Sequence, residues 1–537
     1  MPNQVTVKID GKDVQVPAGT NMIEAARTIG VEIPHYCYHP HLSIAGNCRM
    51  CLVEIEAGGR GADIACNMGA RDGLAIRTDN AKVAQMRKSV MEFLLVNHPL
   101  DCPICDQSGE CRLQDYYMTY GKYESRLTDE KVNKKKRQDI GEHIVLDAER
   151  CVQCSRCVRF GDEVTKTGDL RLYARSNHTE IGMYPGERLA HAYQGCLADI
   201  CPVGALTNKD FRFEKRVWYL KETATLCDGC ATGCNIMACH DRGETFRYLP
   251  RRNDQVNDSW MCDYGRMMYK RVEGLSRLMR FTHRGNPVAS AQSHELLRLA
   301  MLRAKESGGD GAIAFATTGQ ETNEANWAFF ELARRHFPEA RLFVADGNDP
   351  GAFAYHDDIL VSEDKNPNLK GAVLIGEHFG AAIGTGVLAA ALASGEIKVL
   401  VVLGGDLLGR LGRDDFDLLV VIGGYESKTS KAAEYVLPAA AHLEQDGTFV
   451  NVNGRVQRLR RAIPTEGDSL PAYRLIHELA ASWGNPTETQ IASVVFKRIA
   501  DAIPAFRGMT YETLGDAGQD LAGPAAPAPA ASAQPSL

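Results

Sequence analysis

Seventeen cysteines lie between Cys37 and Cys262, and none follows. Most fall into four groups. The first is Cys37-x10-Cys48-x2-Cys51-x14-Cys66, and the second is His98-x3-Cys102-x2-Cys105-x5-Cys111. The third is Cys151-x2-Cys154-x2-Cys157 with a remote Cys201-Pro202. The fourth is Cys227-x2-Cys230-x3-Cys234-x27-Cys262. An odd cysteine count is a poor match to a disulfide framework, whereas thiolates at C-x-x-C spacing are soft ligands for iron or zinc.

Each group has its own arithmetic. Four thiolates, two per iron, are what a [2Fe–2S] cluster needs, and the first group supplies them. Ala45, Gly46 and Asn47 are small enough to let backbone N–H groups approach the sulfides. Cys37-Tyr38-His39 raises the alternative of a His-ligated Rieske centre, but the second pair is Cys48-x2-Cys51 rather than Cys-x2-His. A structural zinc site of four cysteines is the other alternative, and it does not usually need so long a gap between ligands. Three thiolates and one imidazole in the second group can hold a [4Fe–4S] cluster, the neutral imidazole raising its potential relative to all-cysteine ligation. Its alternatives are a His98 that ends a helix beside the metal without binding it, and a zinc site of three cysteines and one histidine. The third group has the bacterial ferredoxin pattern. With no second C-x2-C-x2-C run in the chain, Cys201 is expected to close the same [4Fe–4S] cluster. Cys196 competes as fourth ligand or is a buried thiol. The fourth group again suits [4Fe–4S], and Cys239 is read as non-ligating. Zinc accounts for one such site more easily than for four together.

The elements that must position these residues are partly legible. Residues 5–9 alternate apolar and polar, Asp10-Gly11 is a turn signal, and Val14 and Val16 alternate again. Asn21 with Glu24 marks a helix start of the capping-box type and Gly30 its stop. Strand, hairpin, strand and helix leading into a Cys-rich loop is how a small ferredoxin domain opens. Val83, Met86, Val90, Phe93 and Leu94 recur at helical spacing, and Pro99 ends that helix, leaving His98 at its end. The basic run at 131–137 (KVNKKKR) reads as a solvated linker, or else as a docking surface for an acidic partner. Apolar runs at 312–315, 342–344, 372–375, 399–403 and 418–422 suggest a parallel α/β domain. The Ala/Pro-rich end is expected to be disordered.

Composition narrows the function. A net charge of −7 argues against nucleic-acid binding, which needs a basic face. The start lacks a basic region followed by an apolar run, so no secretory signal is expected. No run reaches the ~18 to 20 apolar residues of a membrane span. The expectation is a soluble protein, or one peripheral to a membrane-bound partner.

The runs IPHYCYHPHLSIAGNCRMCLVEI, HPLDCPICDQSGECRLQD and CVQCSRCVRF with CPVGALT resemble the large iron–sulfur subunit (the G subunit, of the 75-kDa type) of bacterial NADH:quinone oxidoreductase, respiratory complex I. The group from Cys227, closing with WMCDYGR, resembles the iron–sulfur entry domain of molybdopterin oxidoreductases, and VLPAAAHLEQDGTFVNVNGRVQ resembles the same superfamily. The resemblance covers nearly the whole chain except the tail. It implies α+β ferredoxin-type iron–sulfur domains followed by an α/β molybdopterin-oxidoreductase-like domain. The implied boundaries are a [2Fe–2S] β-grasp domain at 1–80, the segment of one histidine and three cysteines at 81–120 and a ferredoxin-like [4Fe–4S] domain at 121–215. A molybdopterin-oxidoreductase-type 4Fe–4S domain follows at 216–270, a reduced α/β domain at 271–520 and a disordered tail at 521–537. It also implies one [2Fe–2S] and three [4Fe–4S] clusters, on a flavoprotein partner that oxidises NADH. Electrons would visit the Cys37 group, the Cys151 group and the His98 group in turn. They would then leave to a ferredoxin-like iron–sulfur subunit and eventually quinone, with the Cys227 group off that route. The setting would be the peripheral arm, on the cytoplasmic face of the plasma membrane.

No catalytic residue or substrate site of the chain's own is expected. Without a cysteine beyond Cys262 the α/β region offers no thiolate to molybdenum or to a hydrogenase centre. Gly384-Thr385-Gly386-Val387-Leu388-Ala389 fits a dinucleotide fingerprint, with Asp406 beyond it, but no strand is expected directly before it. A Gly/Ala helix-packing role is the reading taken, and Gly404-Gly405 and Gly423-Gly424 read as turns. Bound molybdopterin, FMN or NAD is therefore not expected. The alternatives in function are the electron-transfer subunit of a soluble NAD-linked hydrogenase or formate dehydrogenase, and a zinc-stabilised assembly scaffold.

Overall fold

The computed structural model describes residues 3–56, 61–412, 416–486 and 491–522. The chain divides into two compact units, Met1–Leu220 and Lys221–Leu537.

The first unit opens as the alternation predicts. Gln4–Ile9 and Lys12–Pro17 form a hairpin in which Val7, Ile9, Val14 and Val16 turn inward. Ala75–Arg77 joins Gln4–Ile9 in parallel, and Leu52–Ile55 and Ala62–Ile64 complete a five-stranded sheet. Helix Met22–Arg27 starts where Asn21 accepts from the Ile23 N–H, and buries Met22, Ile23, Ala25 and Ala26 on that sheet. Each large aliphatic side chain of this kind contributes about 1.5–3 kcal/mol on full burial. Helix Ala81–Leu95 begins at an Asn80 cap and stops short of Pro99. Beyond it, Gln138–Asp139, Ile144–Leu146 and Leu206–Asn208 form a three-stranded sheet flanked by helices Arg156–Glu163 and Gln194–Ile200.

The basic run at 131–137 is not a free linker. Lys131 Nζ donates to the carbonyls of Leu95 and Val96, at the open end of helix Ala81–Leu95. Lys134 Nζ reaches Thr179 O, and Lys136 pairs with Asp101 and Glu149. The lysines find carbonyls and carboxylates that sequence distance hides.

In the second unit Lys221–Leu226, Asn235–Asp241 and Glu244–Pro250 make an antiparallel sheet. An eight-stranded sheet follows, with a parallel centre running Tyr435–Pro438, Leu418–Gly423, Val399–Leu403, Ile313–Thr317, Arg341–Val344 and Ala382–Ile383. Helices Asn323–His336, Ala472–Ser482 and Ala492–Ala502 share the core on one face. Leu388, Leu392, Leu407 and Leu408 pack on the other. The apolar run at 372–375 is not a strand but the middle of helix Leu369–His378. Buried Gly371, Ala372, Ile375 and Gly376 bracket the half-exposed Val373 and Leu374, a helical repeat too short to read from hydropathy.

A two-residue strand, Ala382–Ile383, does stand directly before Gly384, contrary to the sequence reading. The helix that follows, Thr385–Ala393, packs through Leu388 and Leu392, while a Cβ at Gly386 would touch nothing, so the glycine is not a packing residue. The expected disordered stretch lies outside the described residues from position 523 onward. Among the described residues no helix is long and apolar enough to cross a membrane.

Candidate iron–sulfur sites

All four cysteines of the first group are buried: Cys37 follows the loop after helix Met22–Arg27, Cys48 and Cys51 precede strand Leu52–Ile55, and Cys66 sits in the turn Ala65–Asn67. Their sulfurs converge, Cys37 lying against Cys48 and Cys66, and Cys51 against Cys66. Asn21 Nδ2 holds the Cys66 carbonyl at 2.5 Å. Arg49, between Cys48 and Cys51, is left-handed at φ 58°, a conformation of the kind that clusters at ligand clamps.

In the third group Cys151, Cys154, Cys157 and Cys201 line one pocket with apolar neighbours such as Leu146, Ile181 and Val203. Cys196 is buried in helix Gln194–Ile200 and does not line that pocket. Gln153 and Ser155 are left-handed at φ 54° and 60°, and the Gln153 N–H points at Cys151 Sγ, 3.3 Å away. Burial pushes the Cys151 and Cys201 thiols up to about 12. Four thiolates so placed need a cation to share them, as a metal ligand set does.

Cys227, Cys230, Cys234 and Cys262 line a second pocket, in the other unit. Gly229 N–H lies 3.4 Å from Cys227 Sγ and Gly265 N–H 3.2 Å from Cys262 Sγ. A Cβ at Gly265 would sit 3.1 Å from Cys227 Sγ and 3.3 Å from Cys262 Sγ, so the backbone approaches the sulfurs only as glycine. Cys239 is fully buried on strand Asn235–Asp241 and lies outside this pocket.

In the second group Cys105 is buried, Cys111 half-buried and Cys102 exposed. Burial pushes the His98 imidazole down to about 4, keeping it neutral as a metal ligand must be, and its Nδ1 is buried without a hydrogen-bond partner. Arg150 bears electrostatically on both His98 and Cys105 and hydrogen-bonds Asp101, three residues beyond His98. Arg216 Nη1 fixes the Cys105 carbonyl at 2.7 Å.

Arginines tie the sites together, and cysteine spacing gave no sign of them. Arg159 Nη2 donates to Cys37 O at 2.5 Å and to Cys154 O at 3.3 Å, and its Nη1 donates to Ser43 O. Arg156 joins Tyr38 O to Ile200 O. The first and third groups are thus joined by two buried guanidinium groups. The third also meets the second: Arg112 N–H donates to Pro202 O at 3.1 Å, and a Cβ at Gly204 would collide with Cys105 Sγ. One buried cluster of side chains contains Tyr36, Met50, Met91 and Leu113 together with Cys37, Cys48 and Cys154.

The α/β unit shows a different chemistry where its parallel strands end, the usual place for ligands in such sheets. Backbone N–H groups there are already taken by carboxylates. Asp346 Oδ1 accepts from Thr385 N at 2.6 Å, at the start of the fingerprint-like helix. Asp349 Oδ1 accepts from Asp406 N at 2.8 Å, and Asp406 Oδ1 accepts from Thr429 N at 2.9 Å.

Comparison with known proteins follows the same order along the chain. Residues 2–81 match a 2Fe-2S iron-sulfur cluster binding domain, and 87–126 the NADH-ubiquinone oxidoreductase-G iron-sulfur binding region. Residues 141–207 match the ferredoxin-like domain of NADH-quinone oxidoreductase subunit 3. Residues 220–274 match the molybdopterin oxidoreductase Fe4S4 domain, and 300–482 molybdopterin oxidoreductase itself. The chain therefore carries a 2Fe–2S domain and 4Fe–4S domains, followed by a molybdopterin-oxidoreductase domain of α/β type. The NADH-quinone oxidoreductase G subunit of Rickettsia bellii is 38% identical over 314 residues, which is 58% of this chain and 46% of that protein. The mitochondrial NADH dehydrogenase [ubiquinone] iron-sulfur protein 1 of Solanum tuberosum is 43% identical over 273 residues, 51% of this chain and 36% of that one. In both cases the match spans less than half the length of the relative. A crystal structure of an NAD+-reducing [NiFe]-hydrogenase in the H2-reduced state aligns at 27% identity and a TM-score of 0.36, over 40% of this chain and 91% of that one. Along the matched residues, the order of domains and the two sequence relatives make the chain similar to the large iron–sulfur subunit, the G subunit, of NADH-quinone oxidoreductase.

Proposed function

We propose that the chain is a one-electron relay of NADH:quinone oxidoreductase, taking electrons from a flavoprotein partner that oxidises NADH and delivering them to a ferredoxin-like iron–sulfur partner towards quinone. It would act among the other peripheral-arm subunits, on the cytoplasmic face of the membrane and touching the bilayer only through them. The observation that carries this reading is the third cysteine group standing between the other two, joined to the first by Arg156 and Arg159 and to the second at Pro202 and Gly204. Isolated metal sites with structural roles have no need of such a chain of contacts.

In this reading Cys37, Cys48, Cys51 and Cys66 hold a [2Fe–2S] cluster. His98 with Cys102, Cys105 and Cys111, Cys151 with Cys154, Cys157 and Cys201, and Cys227 with Cys230, Cys234 and Cys262 each hold a [4Fe–4S] cluster. Bound clusters supply one-electron redox chemistry; the protein supplies thiolates, buried surroundings and N–H groups aimed at sulfur. An α/β unit without a pterin dinucleotide is part of this reading, supported by Asp346, Asp349 and Asp406, which occupy N–H groups at the strand ends that phosphates could use. In this reading the chain relays electrons without binding pterin, FMN or NAD itself.

The test uses the complex purified with this chain in place. Rapid-freeze EPR after mixing with NADH should show reduced [2Fe–2S] and [4Fe–4S] signals within turnover time. Iron-free chain with zinc in its place, or signals that NADH cannot reduce, would refute the reading. Replacing His98 by Cys is a finer check. It adds a negative charge and should keep the cluster while lowering its potential, on the order of 100 mV. An unchanged potential and spectrum would take His98 off the ligand set.

A further inference from the structure

The second unit contains a cavity of about 500 Å³ at the carboxyl ends of its parallel strands, a volume within the range of small-molecule sites. It shares Gly229 and Phe353 with the pocket of the Cys227 group. Three of the side chains that line it each carry a buried oxygen without a hydrogen-bond partner. Glu321 is 8% exposed, its carboxyl lies beside the Gln445 side chain, and its Oε2 has no partner. Gln445 is 4% exposed; its Nε2 also donates to Ala440 O at 3.4 Å, and its Oε1 has no partner. Asp228 lies 3.1 Å from His442 through Oδ2, and its Oδ1 has no partner. Unpaired buried acceptors of this kind are costly and call for a donor.

The cavity's own cations do not fill that role. Lys365 Nζ is bonded to Tyr355 O and Ser362 O and lies 4.1 Å from the Phe353 ring centre. Arg271 is stacked over Tyr425 at 4.6 Å. An anion is less well served, since the N–H groups of Asp406 and Thr429 at these strand ends already donate to Asp349 and Asp406. Aromatic walls remain at Tyr264, stacked on Phe353, and at Phe449. Carboxylate and amide oxygens beside aromatic faces match a planar, delocalised cation with several N–H donors.

We propose that this cavity binds a small guanidinium compound, its N–H groups satisfying Glu321, Gln445 and Asp228 and its plane lying against an aromatic wall. Burial holds the Glu321 carboxyl up at about 8, and a bound cation would draw it into its charged form.

The test is calorimetric titration of the full, cluster-loaded chain with agmatine, with magnesium ion alone and with guanosine diphosphate as separate arms. Agmatine should bind saturably at one site per chain. Glu321→Gln keeps the shape but not the charge and should weaken binding at least tenfold; Gln445→Leu should weaken it as well. Melting temperature and the EPR of the Cys227 site report that each variant is folded. No saturable agmatine binding, binding of magnesium or of the diphosphate in its place, or agmatine binding that ignores both substitutions would overturn the proposal.

Discussion

Alanine at Cys201 is expected to strip about four iron atoms from each chain and to abolish one [4Fe–4S] signal. Cys201 lines the same pocket as Cys151, Cys154 and Cys157, so its loss leaves three thiols around a site built for four. Electron transfer from NADH through the purified complex should fall more than about tenfold, because in the proposed relay this group links the first and the second. Cys196→Ala is the matched control. Its side chain is buried in the helix that leads into Cys201 but away from the pocket, and the variant should keep full iron and its spectrum, with a loss of stability on the order of 1 kcal/mol. Iron analysis and EPR on the two variants decide the matter: iron lost from Cys196→Ala and kept in Cys201→Ala would exchange their roles.

The largest effect on stability is expected at Arg277. Its guanidinium and the Glu444 carboxylate are each 1% exposed, with Nη2 and Oε2 at 2.7 Å and Nη1 on the Val272 carbonyl at 3.0 Å. Glu444 Oε2 also accepts from the Ala441 N–H, fixing the turn His442–Glu444. Arg277→Leu strands a buried carboxylate, a change that costs about 3–5 kcal/mol. The second unit should melt roughly 5–10 °C lower. Arg277→Leu combined with Glu444→Leu removes both charges and should recover part of that loss. A single variant as stable as the parent, measured by denaturant unfolding, would show that water reaches the carboxylate.

These two cases also mark what the sequence could and could not disclose. The cysteines proposed as ligands, such as Cys151, Cys154 and Cys157, are local, and thiol spacing of two residues suits a cluster, so their type and order are readable in one dimension. The hairpin at Asp10-Gly11 and the helix from Asn80 are local in the same sense. Arg159, Arg150 and Arg277 are not. Arg159 is 122 residues from Cys37 and Arg277 is 167 from Glu444, and nothing in their neighbourhoods sets them apart from solvated arginines. The same holds for Lys131, whose role at a helix end depends on a fold that returns it there. At 372–375 a four-residue apolar run fits strand and helix equally, and only the layer packed against it decides.

The guanidinium of Arg159 has a bearing on how the metal centres are built. It can settle on the carbonyls of Cys37 and Cys154 only once both loops have closed. If the two loops hold iron as proposed, ordering one around its metal removes part of the entropy that the other must still lose, whichever closes first. Filling of the two proposed centres would then be cooperative, and a chain half-supplied with iron would be a short-lived species on the way to the filled one.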